Sequence, residues 1–116
     1  MNRNQLPFEQ LDVFQAAVEF AARVHRLPIP RGYSHLGDQI RRASCSVVTN
    51  TAEAATEFAP VEKARIFRIA LRSAGECFGI MRLMSELEKL DPGEEMEIRQ
   101  VGVRVVMMLM KLAKPG

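Results

Sequence analysis

Three proline-bearing breaks constrain this chain most, because proline lacks the backbone N–H that continues a helix and clashes with the preceding turn. They fall at Pro28-Ile29-Pro30, at Pro60 and at Pro92, with Gly32 and Gly93 beside the first and last. Between them lie four stretches in which apolar residues recur every three or four positions, the spacing of one helix face. Four amphipathic helices on short connections pack as an antiparallel up-down bundle, so the expected fold class is all-α, a four-helix bundle. At 116 residues the chain holds one domain, 1–116, large enough for a self-sufficient core.

Helix one is predicted from about Phe8 to His25, with Leu11, Phe14, Val18 and Ala21 on its core face. Ser34 is a plausible N-cap for helix two, whose core stripe is Leu36, Ile40, Ala43, Val47 and Ala54, with Phe58 at its end. Val47-Val48 and the Thr49-Asn50-Thr51 cluster have poor helix propensity, yet the helical period runs through them. Helix three is expected from Pro60, suited to a first turn, to about Leu90, with a seam of Phe67, Leu71, Ala74, Phe78, Met81 and Ser85. Asp91-Pro92-Gly93-Glu94 then reads as a turn and a new start, Asp91 at the N-cap and Pro92 at N1.

Helix four, about Pro92 to Ala113, carries Ile98, Val101, Val105, Met108 and Leu112 on one face. It also carries Val103, Val106, Met107 and Met110 well outside that stripe. A helix apolar on two sides must be covered on two sides, and a neighbouring subunit is the simplest second cover. The competing reading, a strand over 101–110, lacks partner strands and does not suit the Met-rich end of the segment.

Composition narrows the function classes. An apolar fraction of 47% and a charged fraction of 26% are ordinary for a globular protein. No apolar run approaches the roughly 20 residues that span a bilayer, and the N-terminus lacks the apolar core of a secretory signal. A cytoplasmic protein without a membrane partner is expected. Cys45 and Cys77 are the only cysteines and have no CxxC spacing, so both are expected reduced and largely buried. His25 and His35 flank the first loop without a Glu-x-x-His partner, and the seven glycines are dispersed rather than gathered in a phosphate loop. No catalytic residue, metal ligand or cofactor is assigned, and the chain is not expected to be an enzyme.

Two sets of side chains remain. On helix two, Gln39, Ser46, Asn50 and Glu53 fall within an arc of roughly 60°, beside the core stripe. Such a stripe either hydrogen-bonds across helices and sets their register, or lines a small-molecule pocket; the structural role is preferred. Glu76 on helix three is a candidate partner for Arg41 or Arg42. The second set is basic: Arg65, Arg68 and Arg72 lie within about 80° on the outer face of helix three, and Arg41 and Arg42 sit together on helix two. Arginine's planar fork suits phosphate, although a net charge of +2 is too small to prove nucleic-acid binding. Weak patches repeated in a symmetric oligomer add through effective concentration.

Leu36, Gln39, Arg41, Arg42, Ala43, Ser46, Val47, Asn50, Ala52 and Glu53 stand in one register. In that register the chain resembles the four-helix-bundle family of the 23S ribosomal RNA intervening-sequence proteins. Relatives of that family include the accessory protein of diversity-generating retroelements. A second block, Phe67 to Glu76, is similar to the family's Phe-x-x-Ile-Ala-x-Gly-Ser-x-x-Glu-Leu with one residue of slack, and Leu11 to Ala16 fits its start. Departures are Thr51 for isoleucine, Ala54 for glycine, Arg72 for glycine and Cys77 for leucine. The resemblance implies a homopentameric ring of bundles. In the retroelement branch it also implies RNA, DNA or a reverse transcriptase as partner. It carries over no catalytic residue.

Overall fold

The computed structural model describes residues 4–114. A single 3-10 turn, Pro7–Gln10, precedes four helices: α1 (Asp12–Arg26), α2 (Ser34–Ala55), α3 (Pro60–Glu86) and α4 (Pro92–Leu112). There is no strand among the described residues. Each helix packs on its neighbours in the chain, and α4 closes back on α1. Cross-helix pairs such as Ser46 with Ser73 and Ile40 with Cys77 run in opposite directions along α2 and α3, which makes that pair antiparallel. The up-down bundle is therefore the observed architecture.

Helix one differs from expectation in its start and in its face. Leu11 is extended, so the segment opens as a 3-10 turn and α1 begins at Asp12. Its buried face is Val13, Ala16, Ala17, Phe20 and Val24, whereas Leu11 and Val18 of the expected stripe are exposed. Both sides of this helix are apolar, and the side carrying Phe20 is the one that meets a close neighbour. That neighbour is α4 at Gly102, where an added Cβ would come within 2.8 Å of both Phe20 and Phe78. The Phe20 and Phe78 rings stack with centroids 6.2 Å apart, so Gly102 lets α4 lie against the pair.

The core stripe of α2 is buried as expected, from Leu36 through Ile40, Ala43 and Val47 to Ala54. Helical geometry persists through 49–51, packing having overridden propensity. Two details are corrected. Tyr33, not Ser34, occupies the N-cap position, and no side chain caps it. Phe58 lies beyond the end of α2 and is 97% exposed, because the chain has already turned toward Pro60.

Helix α3 ends at Glu86 rather than at Leu90. Its end is a paired-hydrogen-bond stop: Lys89 N donates to Met84 O at 2.8 Å and Glu88 N to Ser85 O at 3.0 Å, with Glu88 left-handed at φ 58°. Helix α4 starts as read: Asp91 Oδ2 accepts from Glu94 N at 3.0 Å, with Pro92 in the first turn. Ser85 Oγ donates to Glu95 Oε1 at 3.2 Å, tying the two ends together.

Candidate functional site

The polar stripe of α2 divides. Ser46 and Asn50 are half-buried on the side facing α3, whereas Gln39 and Glu53 are exposed. Asn50 Nδ2 donates to Ser46 O and Ser46 Oγ, both at 2.9 Å, and Ser73 Oγ on α3 donates to Ser46 Oγ at 2.8 Å. The Asn50 amide nitrogen and the Ser46 and Ser73 hydroxyls are thus engaged with one another and with the helix backbone. Glu76 is exposed and, among the described residues, forms no ion pair with Arg41 or Arg42. The sequence did not single out Ser73 as a partner for the stripe, because the antiparallel register of α2 on α3 is what delivers it.

The five candidate arginines also separate. Arg41 is half-buried and its guanidinium points to the Leu27 carbonyl at 3.4 Å. Arg68 donates to the Ala113 carbonyl at 3.1 Å, bracing the C-terminal end of α4. Arg65 pairs with Glu62 one turn before it, and that bond holds the Glu62 carboxyl below its usual range. Arg42 and Arg72 are exposed and form no ion pair or hydrogen bond among the described residues. Arg42 lies one turn before Ser46, and Arg72 immediately precedes Ser73. Because α2 and α3 run antiparallel, Arg42 and Arg72 lie on opposite sides of the serine bridge, roughly 7 Å apart along the bundle axis.

Helix α4 presents a second apolar seam. Ile98, Val101, Val105 and Leu109 are buried inside, while Met96, Val103, Met107 and Met110 are between 49% and 63% exposed. With the exposed Gln100 among them, these outward positions are spaced four, three, four and three, the repeat of a coiled-coil seam. Of the residues expected outside the core stripe, Val106 is half-buried. It lines, with Gly75, Phe78 and Val103, an open hollow of about 320 Å³ between α3 and α4.

The two thiols are free and unlike. Cys77 is fully buried, and burial, with Glu76 next to it, pushes its thiol up to about 12. Cys45 is exposed, against expectation, because it faces out of the α2 stripe toward the end of α1. Among the described residues no group of three or more His, Cys, Asp or Glu side chains is placed to hold a metal ion. Among the described residues no helix is long and apolar enough to cross a membrane.

A bundle with this serine and asparagine register, read with its signature in order, has a counterpart. The model of the 23S rRNA-intervening sequence protein family matches residues 9–111. The chain belongs to this family. A crystal structure of a protein of unknown function from the S23 ribosomal protein family of Bacteroides thetaiotaomicron is similar, with a TM-score of 0.77 at 20% identity. The match covers 88% of this chain and 98% of that one, and at this identity it speaks for the fold. No curated protein matches the chain. Membership in the family sharpens one departure: the position where the family pattern carries isoleucine is here Thr51, which is fully buried.

Proposed function

We propose that this chain is a non-enzymatic, homo-oligomeric bundle of the cytoplasm that meets structured nucleic acid, or a protein that processes it, at repeated arginine edges. The observation that carries the reading is the outward seam of α4, which leaves Met96, Val103, Met107 and Met110 uncovered on a helix whose other face is already packed. Self-association covers such a seam at the same place on every copy, and a closed ring, pentameric by family likeness, repeats each surface feature around its axis. Repetition matters because one copy offers little: of the five arginines, Arg42 and Arg72 are free to meet phosphate. The family's description names an insertion in 23S ribosomal RNA, which makes structured RNA the first probe.

Fluorescence anisotropy with labelled structured RNA and duplex DNA tests the reading. Saturable binding is expected at low salt, weakening by roughly 0.7 to 0.9 in the log–log slope for each phosphate neutralised. Arg42→Ala with Arg72→Ala should lower both affinity and slope. No saturable binding at low salt would remove the nucleic-acid half and leave a scaffold for protein partners. That second reading is favoured by Arg41, Arg65 and Arg68 being engaged within the chain. A small-molecule site at the polar stripe has less support, since Ser46, Asn50 and Ser73 are already bonded to one another.

A further inference from the structure

His25, in the last turn of α1, and Cys45, midway along α2, are 20 residues apart in the chain and meet across the α1–α2 seam. Cys45 Sγ lies 3.6 Å from His25 Nε2. The other ring nitrogen is committed, with Nδ1 2.9 Å from the Ala21 carbonyl oxygen. A carbonyl only accepts, so Nδ1 carries the hydrogen and Nε2 of the neutral ring is left as an acceptor. Nε2 therefore faces the thiol as a base, and the S–H donates to it. Nucleophile, base and the group that orients the base stand in order, the arrangement that activates a thiol.

The neighbours along α1 and α2 are basic. The acidic groups nearby come from α4, where Glu94 and Glu97 share a hollow with Arg23 and Arg26 and Glu97 pairs with Arg23. Arg26 follows His25 on α1, and Arg41 and Arg42 precede Cys45 by one turn on α2. No Asp or Glu occurs between Ala21 and Ile29 or between Gln39 and Ala52, the turns that flank the pair. Helices α3 and α4 supply no hydrogen bond to either side chain among the described residues. Cys45 is open to solvent, so a small reagent reaches it.

We propose that Cys45 is a reactive thiol, activated by His25, that takes up low-molecular-weight disulfides by thiol–disulfide exchange. The Sγ proton moves to Nε2, and the thiolate attacks one sulfur of the disulfide. A new S–S bond to Cys45 forms as the old one breaks, and the departing thiolate takes the proton from His25. Cys45 is oxidised to a mixed disulfide, the reagent is reduced to one free thiol, and excess thiol reverses the adduct. Cys77 is the internal contrast: a fully buried thiol, its Sγ 3.8 Å from the Ile40 carbonyl, which no disulfide reaches in the folded chain.

Stopped-flow absorbance with 4,4′-dithiodipyridine, which releases a coloured thiopyridone, reads the exchange directly. One fast equivalent is expected from the folded protein, absent in Cys45→Ser, with the second appearing only in urea. At pH 6.5 the fast rate should exceed that of the urea-unfolded chain by about tenfold or more. The pH profile of the fast rate between pH 8 and 6 is also expected to differ from that of the unfolded chain, because thiol and imidazole react as a pair. His25→Gln, with its fold checked by circular dichroism, should return both rate and profile to those of the unfolded chain. A fast equivalent surviving in Cys45→Ser would overturn the proposal, as would a folded rate no higher than the unfolded one. A folded His25→Gln protein that keeps the wild-type rate and profile would do the same. The folded-versus-unfolded comparison needs no variant and decides the matter if His25→Gln fails to fold.

Discussion

Thr51 is fully buried and its hydroxyl oxygen has no hydrogen-bond partner among the described residues. A buried polar group left without a partner costs about 1–3 kcal/mol, while an apolar group of the same shape costs nothing comparable. Valine has nearly the shape of threonine with a methyl in place of the hydroxyl. Thr51→Val should therefore stabilise the protein by about 1 kcal/mol, raising the urea midpoint without changing the slope of the transition. A lowered midpoint would mean that the hydroxyl finds a partner in solution. The sequence made this residue conspicuous as a departure from the family's isoleucine, but burial is what gives the departure a cost. Cys45 is the converse case. Its apposition to His25 depends on where α1 ends against the middle of α2, and no local spacing encodes that.

Helix boundaries were largely legible because each rests on local chemistry. Asp91 with Pro92 announces the start of α4 through a cap that one residue supplies, and the structure contains that bond. The end of α3 was read four residues late for a related reason. The left-handed stop residue is Glu88, not the glycine that usually marks such a position. An L-residue in that region is strained by roughly 1–2 kcal/mol. Glu88→Gly relieves the strain but adds freedom to the unfolded chain, so a net gain of about 0.5 kcal/mol is expected. Urea unfolding checks it, and a loss of stability would show that the Glu88 side chain earns its place by contacts. The face of α1 was legible only in part: of the expected stripe Ala21 is buried and Phe14 half-buried, whereas Leu11 and Val18 are exposed. Leu11, Phe14 and Val18 make as good an apolar stripe as Val13, Phe20 and Val24, and the choice falls to Gly102, which sits some eighty residues later on α4. Periodicity locates an element; only its neighbours decide which side is inside.

At the scale of the whole molecule, α4 is the element with too much to cover. Its inner seam completes the bundle, and its outer seam, Met96, Val103, Met107 and Met110, runs beside the hollow at Gly75 and Phe78 on α3. If a second copy covers that seam, Val103→Glu combined with Met107→Glu places two carboxylates in an apolar contact while leaving the inner seam untouched. Light scattering should then give a monomer at concentrations where the native chain is larger. Far-ultraviolet circular dichroism and the urea midpoint of the bundle itself should change little, because both residues are already about half exposed. Nucleic-acid affinity, if it depends on copies acting together, should fall with the oligomer by about 10²-fold even though no arginine has been altered. Affinity lost with Arg42 and Arg72 but kept in the α4 variant would place recognition on a single copy. A native chain that is already monomeric at micromolar concentration would leave the outer seam to a different protein, and the arginine edges would then act without the repetition that makes so modest a charge effective.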